Sequence, residues 1–353
     1  MLKLLFLSTP VGPLGSGLGG GVELTLYNLA AEMQRRGHQV VVVAPTASKL
    51  TGIKIVEISG KLQILAQTQS RDGSISLPQD SVLANIWEYA HTVQADYDLL
   101  VNFAFDWLPF YLTKFFSTAI AHFISMGSLS DALDVVMNRV AKAYPETIGV
   151  YTRTQAETFP FADACQILGS AIDLSLYNFC PQPEHYLAWV GRISPEKGLE
   201  DAVSASLTTG IPLKIWGKIQ DQDYWEQIKR DYANAALEYC GFLSTVELQA
   251  QLGRCQALLM TPRWVEAFGN VAIEALACGV PVISYARGGP TEIIRHGETG
   301  FLVTPDSVTG LVEAIENLAQ IDRKRCRQQA ETEYSLPALG DRFENWFEKI
   351  HGK

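Results

Sequence analysis

Glu266 and Glu274 stand eight positions apart in a run that continues through Ala275, Leu276, Ala277 and Cys278 to Gly279, Val280 and Pro281. This pattern predicts a helix that begins near Phe268 and ends near Cys278, stopped by Gly279 and Pro281 before a buried strand. A helix start leaves its first amide N–H groups unpaired and carries partial positive charge, so it suits an anion. Phe268, Gly269 and Asn270 are the candidates to meet one there. Glu266 lies just ahead of that point and Glu274 two turns inside, and at a rise of 1.5 Å per residue the two carboxylates are at most about 12 Å apart. That is about the reach from the sugar to the ribose of a nucleotide sugar whose diphosphate rests on the helix start. Glu274 also sits among Val271, Ala272, Ile273, Leu276 and Ala277. Carboxylates in such surroundings are seldom buried without partners, which favours a hydrogen-bonded role.

A second cluster precedes it. The strand Tyr186 to Val190 delivers Gly191, and Arg192 and Lys197 follow on the turn into the next helix. Two cations five residues apart at the carboxyl end of a parallel strand can hold a diphosphate from two sides, the guanidinium bidentately. Near the N-terminus a third feature, Gly15 to Gly21, contains a formal G-x-G-x-x-G. Its first glycine lies seven residues beyond the end of the strand at Ser8, and the second strand ends in Val43-Ala44-Pro45-Thr46 without an acid for a ribose diol. Both points count against a nicotinamide or flavin site. A loop without a ligand stays open. The better reading is a phosphate or sugar contact through amides that include those of Gly20 and Gly21.

These loops need strands and helices to hold them. Leu2 to Ser8 and Val40 to Ala44 are all-apolar strands around a helix from about Val22 to Arg36, closed by Gly37, which makes a βαβ unit. Alternation continues through strands near Leu99–Phe103 and Ala119–Ile124, and helices near Val82–Gln94 and Asp131–Ala143. A second series of strands runs from Tyr186 to Val303. The expected fold class is α/β with two doubly wound domains, residues 1–165 and 166–335, followed by a helical tail, 336–353, packing back on the first. The 353 residues suffice for two cores, and 47% apolar with 19% charged residues marks a globular chain. Formal charge is −10, split −3 through residue 165 and −7 beyond it. Neither part offers the positive charge that a nucleic-acid or anionic-membrane partner would require. The most apolar stretch, Leu99 to Phe116, is interrupted by Asn102, Asp106, Pro109 and Lys114, and Met1 to Ser8 is too short for a leader. A cytoplasmic location is expected, with no stable membrane insertion. Six scattered cysteines without a C-x-x-C pair argue against a zinc or thiol-redox site.

The ordered set Gly191-Arg192, Lys197-Gly198, Gly241-Phe242-Leu243-Ser244, Glu247-Leu248 and Glu266 through Glu274 to Ile283 resembles the retaining family 4 glycosyltransferases of the GT-B fold. Gly19 to Glu23 and Arg36 to Val40 look like that family's first loop and helix, so the similarity spans nearly the whole chain. The resemblance implies two Rossmann-like domains facing a cleft, with a nucleotide-sugar donor, usually UDP-linked, on the second and an acceptor on the first. By position, Arg192 and Lys197 would bind the diphosphate, Glu274 the ribose and Glu266 the sugar hydroxyls. Phe268 and Gly269, with Asn270 beside them, would support the sugar or phosphate, and Gly20 and Gly21 would approach the diphosphate. His122 matches a histidine that in this family contacts the donor sugar near the reaction centre. No cofactor or metal is implied beyond UDP-glucose as donor: fixed cations and helix amides can stabilise the leaving diphosphate.

Two departures bear on the acceptor. The inter-domain run is Gly169-Ser170-Ala171-Ile172-Asp173 where the family usually has Pro-Asn-Gly-Ile-Asp, and Arg35-Arg36 is the only adjacent basic pair before residue 165. The second point favours a soluble acceptor over a lipid. Phe105, Asp106 and Trp107 follow a strand among clustered aromatics, where an acid could hydrogen-bond a planar heterocycle. The segment Ser8 to Thr25 resembles the UDP-glucose:tetrahydrobiopterin glucosyltransferases, implying a reduced pterin as acceptor. A transferase building a polysaccharide or glycolipid, and a nucleotide-sugar-binding protein without turnover, are the alternatives. The sequence leaves the oligomeric state open.

Overall fold

A computed structural model describes residues 1–16, 20–64 and 70–352. The chain forms two compact units, the first containing Met1–Ser170 and the segment from Leu336 onward, the second Ala171–Ser335. No helix among the described residues is long and apolar enough to cross a membrane.

The first unit is built on a seven-stranded sheet, with strands β1 (Lys3–Leu7), β2 (Gln39–Pro45), β3 (Lys54–Ile58), β4 (Leu99–Asn102), β5 (Ile120–Ile124), β6 (Ile148–Val150) and β7 (Cys165–Ile167). They lie in the order β3-β2-β1-β4-β5-β6-β7, every pairing parallel. Its helices are α1 (Gly21–Arg35), α2 (Val82–Val93), α3 (Trp107–Leu112), α4 (Asp131–Ala143) and the single turn α5 (Arg153–Ala156). Helix α1 turns Val22, Leu26, Leu29, Ala30 and Met33 inward. It ends at Gly37, whose φ of 91° lets the His38 amide donate to the Met33 carbonyl at 3.0 Å.

The second unit has a six-stranded sheet: β8 (Leu187–Val190), β9 (Leu213–Trp216), β10 (Leu237–Tyr239), β11 (Leu258–Met260), β12 (Val282–Tyr285) and β13 (Gly300–Val303). The order is β10-β9-β8-β11-β12-β13, again all parallel. Helices α6 (Leu199–Thr209), α7 (Gln222–Asp231), α8 (Thr245–Leu252), α9 (Asn270–Ala277), α10 (Pro290–Ile293), α11 (Val308–Glu316) and α12 (Arg323–Glu333) connect the strands or follow the last of them. The last helix, α13 (Leu336–His351), returns to the first unit. There Phe347 meets Phe6 with ring centroids 6.4 Å apart, and Phe343 meets Phe123 at 5.3 Å. Arg36 pairs with Asp341 and Glu344, each at 2.7 Å.

Each sheet reverses direction once, between β1 and β4 in the first unit and between β8 and β11 in the second. In doubly wound sheets the crevice at the carboxyl ends of two such strands is the ligand position. The loops after β8 and β11 carry Arg192, Lys197 and Glu266, and the loops after β1 and β4 carry Thr9 and Asp106. Strand β7 is a member of the first sheet, so that unit continues to Ser170 rather than closing at residue 165. Helix α9 begins at Asn270 with Gly269 as its left-handed cap, two residues later than its apolar pattern predicts.

Candidate active site

Loop geometry at the reversal point of the second sheet is fixed by backbone bonds between two segments. The Arg263 amide donates to the Glu196 carbonyl at 2.9 Å, and the Thr261 hydroxyl to the Gly198 carbonyl at 2.7 Å. Gly198, at φ 61°, is so close that a Cβ there would lie 2.2 Å from the Thr261 oxygen. The third wall is Gly288-Gly289 after β12: the Gly289 amide donates to the Glu266 carbonyl at 2.7 Å, and a Cβ on Gly288 would fall 2.4 Å from the same oxygen.

This frame brings Lys197 and Glu266 together as a direct ion pair. The Trp264 indole N–H donates to the same Glu266 oxygen at 3.1 Å, and the Lys197 ammonium lies 5.0 Å from the Trp264 ring centroid. Burial would raise the Glu266 carboxyl; Lys197 outweighs it, helped by Trp264 and Arg192, and holds the group below the usual carboxylate range. Arg192 stands on the same turn, bonded to the Gln220 amide oxygen and 3.4 Å from Glu196. The loop is anchored outward as well. Arg263 bridges Glu200 at 2.8 Å and Asp201 at 3.1 Å, and Arg287 donates to the Pro262 carbonyl at 2.7 Å while pairing with Asp306.

At the start of α9, Gly269 has a φ of 97° and turns the chain so that the first helical amides, those of Asn270 and Val271, are the ones a helix leaves without internal partners. The Asn270 side-chain oxygen is buried and accepts no hydrogen bond. One turn further, burial pushes the Glu274 carboxyl up to about 7. No side-chain bond offsets that burial, and together these groups are unmet acceptors and donors along one helix end. Phe268 stays just outside the helix and packs against Tyr334, ring centroids 6.1 Å apart.

In the first unit Gly20 caps α1 at φ 66°, with open space where a Cβ would stand, and Gly21 is the first helical residue. Gly17, Leu18 and Gly19, the middle of the glycine loop, lie outside the described residues. His122 departs from its expected role. It is fully buried in β5, with Nδ1 3.2 Å from the Asn102 amide nitrogen, Nε2 3.0 Å from the Thr113 hydroxyl and its ring stacked on Phe110 at 4.5 Å. Burial depresses its pKa to about 3, so it is a neutral core histidine with both nitrogens engaged and none to offer a sugar. Phe105 and Trp107 lean on the adjoining core, and Trp107 stacks on Tyr111 at 4.5 Å. Asp106 caps α3 through the Leu108 amide at 3.3 Å, and burial raises its carboxyl.

Trp264, Gln220, Thr261 and the Gly288-Gly289 corner escape a reading of the sequence by motif. A signal for the glycine pair was present: two glycines and Pro290 directly after an apolar strand, at the same carboxyl edge.

Residues 179–333 match the family model described as glycosyl transferases group 1, and residues 19–123 the model for glycosyltransferase family 4. Among curated proteins, the glycogen synthase of Mycobacterium tuberculosis is 35% identical over 138 residues, which is 37% of this chain and 33% of that protein. The 2-deoxystreptamine N-acetyl-D-glucosaminyltransferase of Niallia circulans is 33% identical over 137 residues, 35% of this chain and 33% of that protein. The matched part of the chain thus spans about a third of the length of these relatives. Over whole chains the fold is shared with Anabaena HepE solved with UDP and glucose, TM-score 0.76 at 17% identity, covering 99% of this chain and 100% of that one. It is shared equally with sucrose-phosphate synthase from Thermosynechococcus elongatus, TM-score 0.77 at 16% identity and full coverage of both. Residues 19–123 thus resemble a glycosyltransferase family 4 domain and residues 179–333 a glycosyl transferases group 1 domain, and the two parallel-sheet Rossmann-like units share the GT-B fold of these solved structures.

Proposed function

We propose that the protein is a sugar transferase that moves glucose from UDP-glucose to a small soluble acceptor with retention of configuration and without a metal ion. The observation that carries this is the constellation around α9: Lys197 against Glu266, Arg192 on the same turn, a helix start with the unmet Asn270 oxygen, and Glu274 held near neutrality by burial. In the reaction the bond from the anomeric carbon to the diphosphate oxygen breaks, and one from that carbon to an acceptor oxygen forms. The acceptor's proton passes to the departing phosphate. Lys197, Arg192 and the α9 amides face the negative charge that grows on the diphosphate, which is where preorganised donors accelerate most. Glu266 would take the sugar hydroxyls and Glu274 the ribose diol. Two matches support the donor: relatives that are sugar transferases by name, and a structural neighbour solved with UDP and glucose. The acceptor reading, a reduced pterin such as tetrahydrobiopterin, rests on the segment Ser8 to Thr25.

The test is a screen of UDP-, GDP- and ADP-sugars against soluble acceptors including reduced pterins, read by product mass and by the anomeric configuration of the product. Acceptor-dependent UDP release that survives a chelator is the expected result. Tight UDP-glucose binding with no product on any acceptor would make the chain a binding protein instead.

A further inference from the structure

The reversal point of the first sheet, between the adjacent parallel strands β1 and β4, holds a polar cluster that the donor chemistry does not use. Thr9 follows β1, Asp106 follows β4, and Gln63 joins them: its backbone amide donates to the Pro10 carbonyl at 3.0 Å, and its side-chain Nε2 donates to Asp106 Oδ2 at 3.2 Å. Because Nε2 is committed to a carboxylate, the orientation of the Gln63 amide is settled and Oε1 points elsewhere. Among the described residues that buried oxygen has no donor, and the Thr9 hydroxyl, on a residue 7% exposed, is likewise buried without a partner. Among the described residues no ion pair reaches Asp106; its carboxylate accepts from the Leu108 and Trp107 amides and from Gln63. Buried polar atoms are nearly always satisfied, so an orphan on the side chain that holds this acid, with a second on the loop after β1, marks a place where a ligand can supply the missing partners.

We propose that Thr9, Gln63 and Asp106 read the acceptor, and that they select a planar amino-heterocycle through a row of neighbouring N–H donors. The inference rests on the sugar-transferase reading and deepens its acceptor side. Two acceptor groups, a carboxylate and an amide oxygen, match adjacent ring N–H and exocyclic NH₂ groups. They repel a phosphate or carboxylate and leave a ligand carbonyl unpaired. The Thr9 hydroxyl, which can donate or accept, meets the next atom along the edge.

The experiment measures binding of a reduced pterin, guanosine and myo-inositol to the donor-free full chain by calorimetry, in wild type, Asp106→Asn and Gln63→Leu, with UDP affinity and thermal midpoint recorded in parallel. Asp106→Asn keeps the cap on α3, and Gln63→Leu removes the orphan oxygen without touching that cap. The expected result is that the wild type binds at least one amino-heterocycle and not the polyol. Each substitution should then weaken that binding on the order of 10- to 100-fold, as for a hydrogen bond to a charged or buried group, at unchanged UDP affinity. Heterocycle binding equal in all three proteins, binding of inositol alone, or no binding of any probe to the wild type would overturn the proposal. Failure of the donor reading would register separately, as a wild type that binds a heterocycle but neither UDP nor UDP-glucose.

Discussion

Replacing Glu274 with glutamine separates what this residue costs the fold from what it gives the ligand. Burial raises its carboxyl from 4.5 to about 7 without a compensating partner. A group whose folded pKa exceeds its unfolded one binds more protons in the folded state, so stability falls as pH rises between the two values. Below 4.5 both states are protonated and nothing is lost; above about 7 the full penalty applies. At 1.36 kcal/mol per unit, the shift corresponds to about 3 kcal/mol. Glu274→Gln removes the titration, so the ligand-free variant should match the wild type near pH 4.5 and exceed its stability by up to that amount at pH 8. Urea unfolding at the two pH values, followed by tryptophan fluorescence, measures the difference. The second arm is UDP affinity. A ribose diol donates to the ionised carboxylate, so wild-type affinity should climb with pH and level off near 7, and the variant should bind UDP roughly 10- to 100-fold more weakly with a flat pH profile. A stability difference independent of pH would refute the burial argument, and a stabilised variant with unchanged UDP affinity would refute the ribose assignment.

Lys197→Ala should lower the rate of sugar transfer by about 2–4 kcal/mol in barrier, because it removes one preorganised cation and leaves Glu266 buried alone; near wild-type turnover would take Lys197 out of the chemistry. Gly288→Ala imposes a Cβ 2.4 Å from the Glu266 carbonyl at a φ of 71°, so it should displace Glu266 and abolish transfer while far-ultraviolet circular dichroism still reports a folded chain. Retained activity would mean that this corner does not set the position of Glu266. His122→Ala breaks contacts to Asn102, Thr113 and Phe110 and should destabilise by about 1–3 kcal/mol without slowing the folded fraction. A collapse of turnover at full folding would return His122 to the catalytic set.

Strands with two buried faces were easy to read because they are nearly continuous apolar runs; Leu99–Phe103 and Ala119–Ile124 agree to within one residue with β4 and β5. Strand β3 escaped notice because Lys54 and Glu57 break the run on a strand at the sheet's edge. Strands β6 and β7 have three residues each, and Gly149 and Gln166 at their centres leave neither of them an apolar run. The same division holds at the site. Arg192, Lys197 and Glu266 are legible as types and spacings on loops that follow strands, and Glu274 as a carboxylate in the helix that comes next. The Gly288 contact with Glu266 is a packing fact with no local signature, and so is the fate of His122. Its partners Asn102 and Thr113 stand 20 and 9 positions away, and only the register of β4 against β5, which sets Asn102 beside His122, brings the first of them to its ring.

The net charge of −10 sharpens how such a chain would take a diphosphate. Among the described residues of these loops the cations are already partnered: Lys197 with Glu266, Arg192 with Gln220 and Glu196, Arg263 and Arg287 with Asp306 and its neighbours. Arg263 and Arg287 face outward into structural pairs, which leaves Lys197 and Arg192 as the ones whose partners stand at the ligand position. A dianion arriving at the α9 start competes with a carboxylate for Lys197, and it can win because the helix amides act on the same phosphate oxygens while Glu266 has no such help. The displaced Glu266 would then rely on the Trp264 indole N–H for a buried charge, a costly state that hydroxyl donors relieve. A sugar attached to the diphosphate supplies those donors, whereas a bare diphosphate does not. On the proposed reading, exchange of one ion pair would make the intact nucleotide sugar a better ligand than its product, through two residues that the fold brings together across sixty-nine positions of sequence.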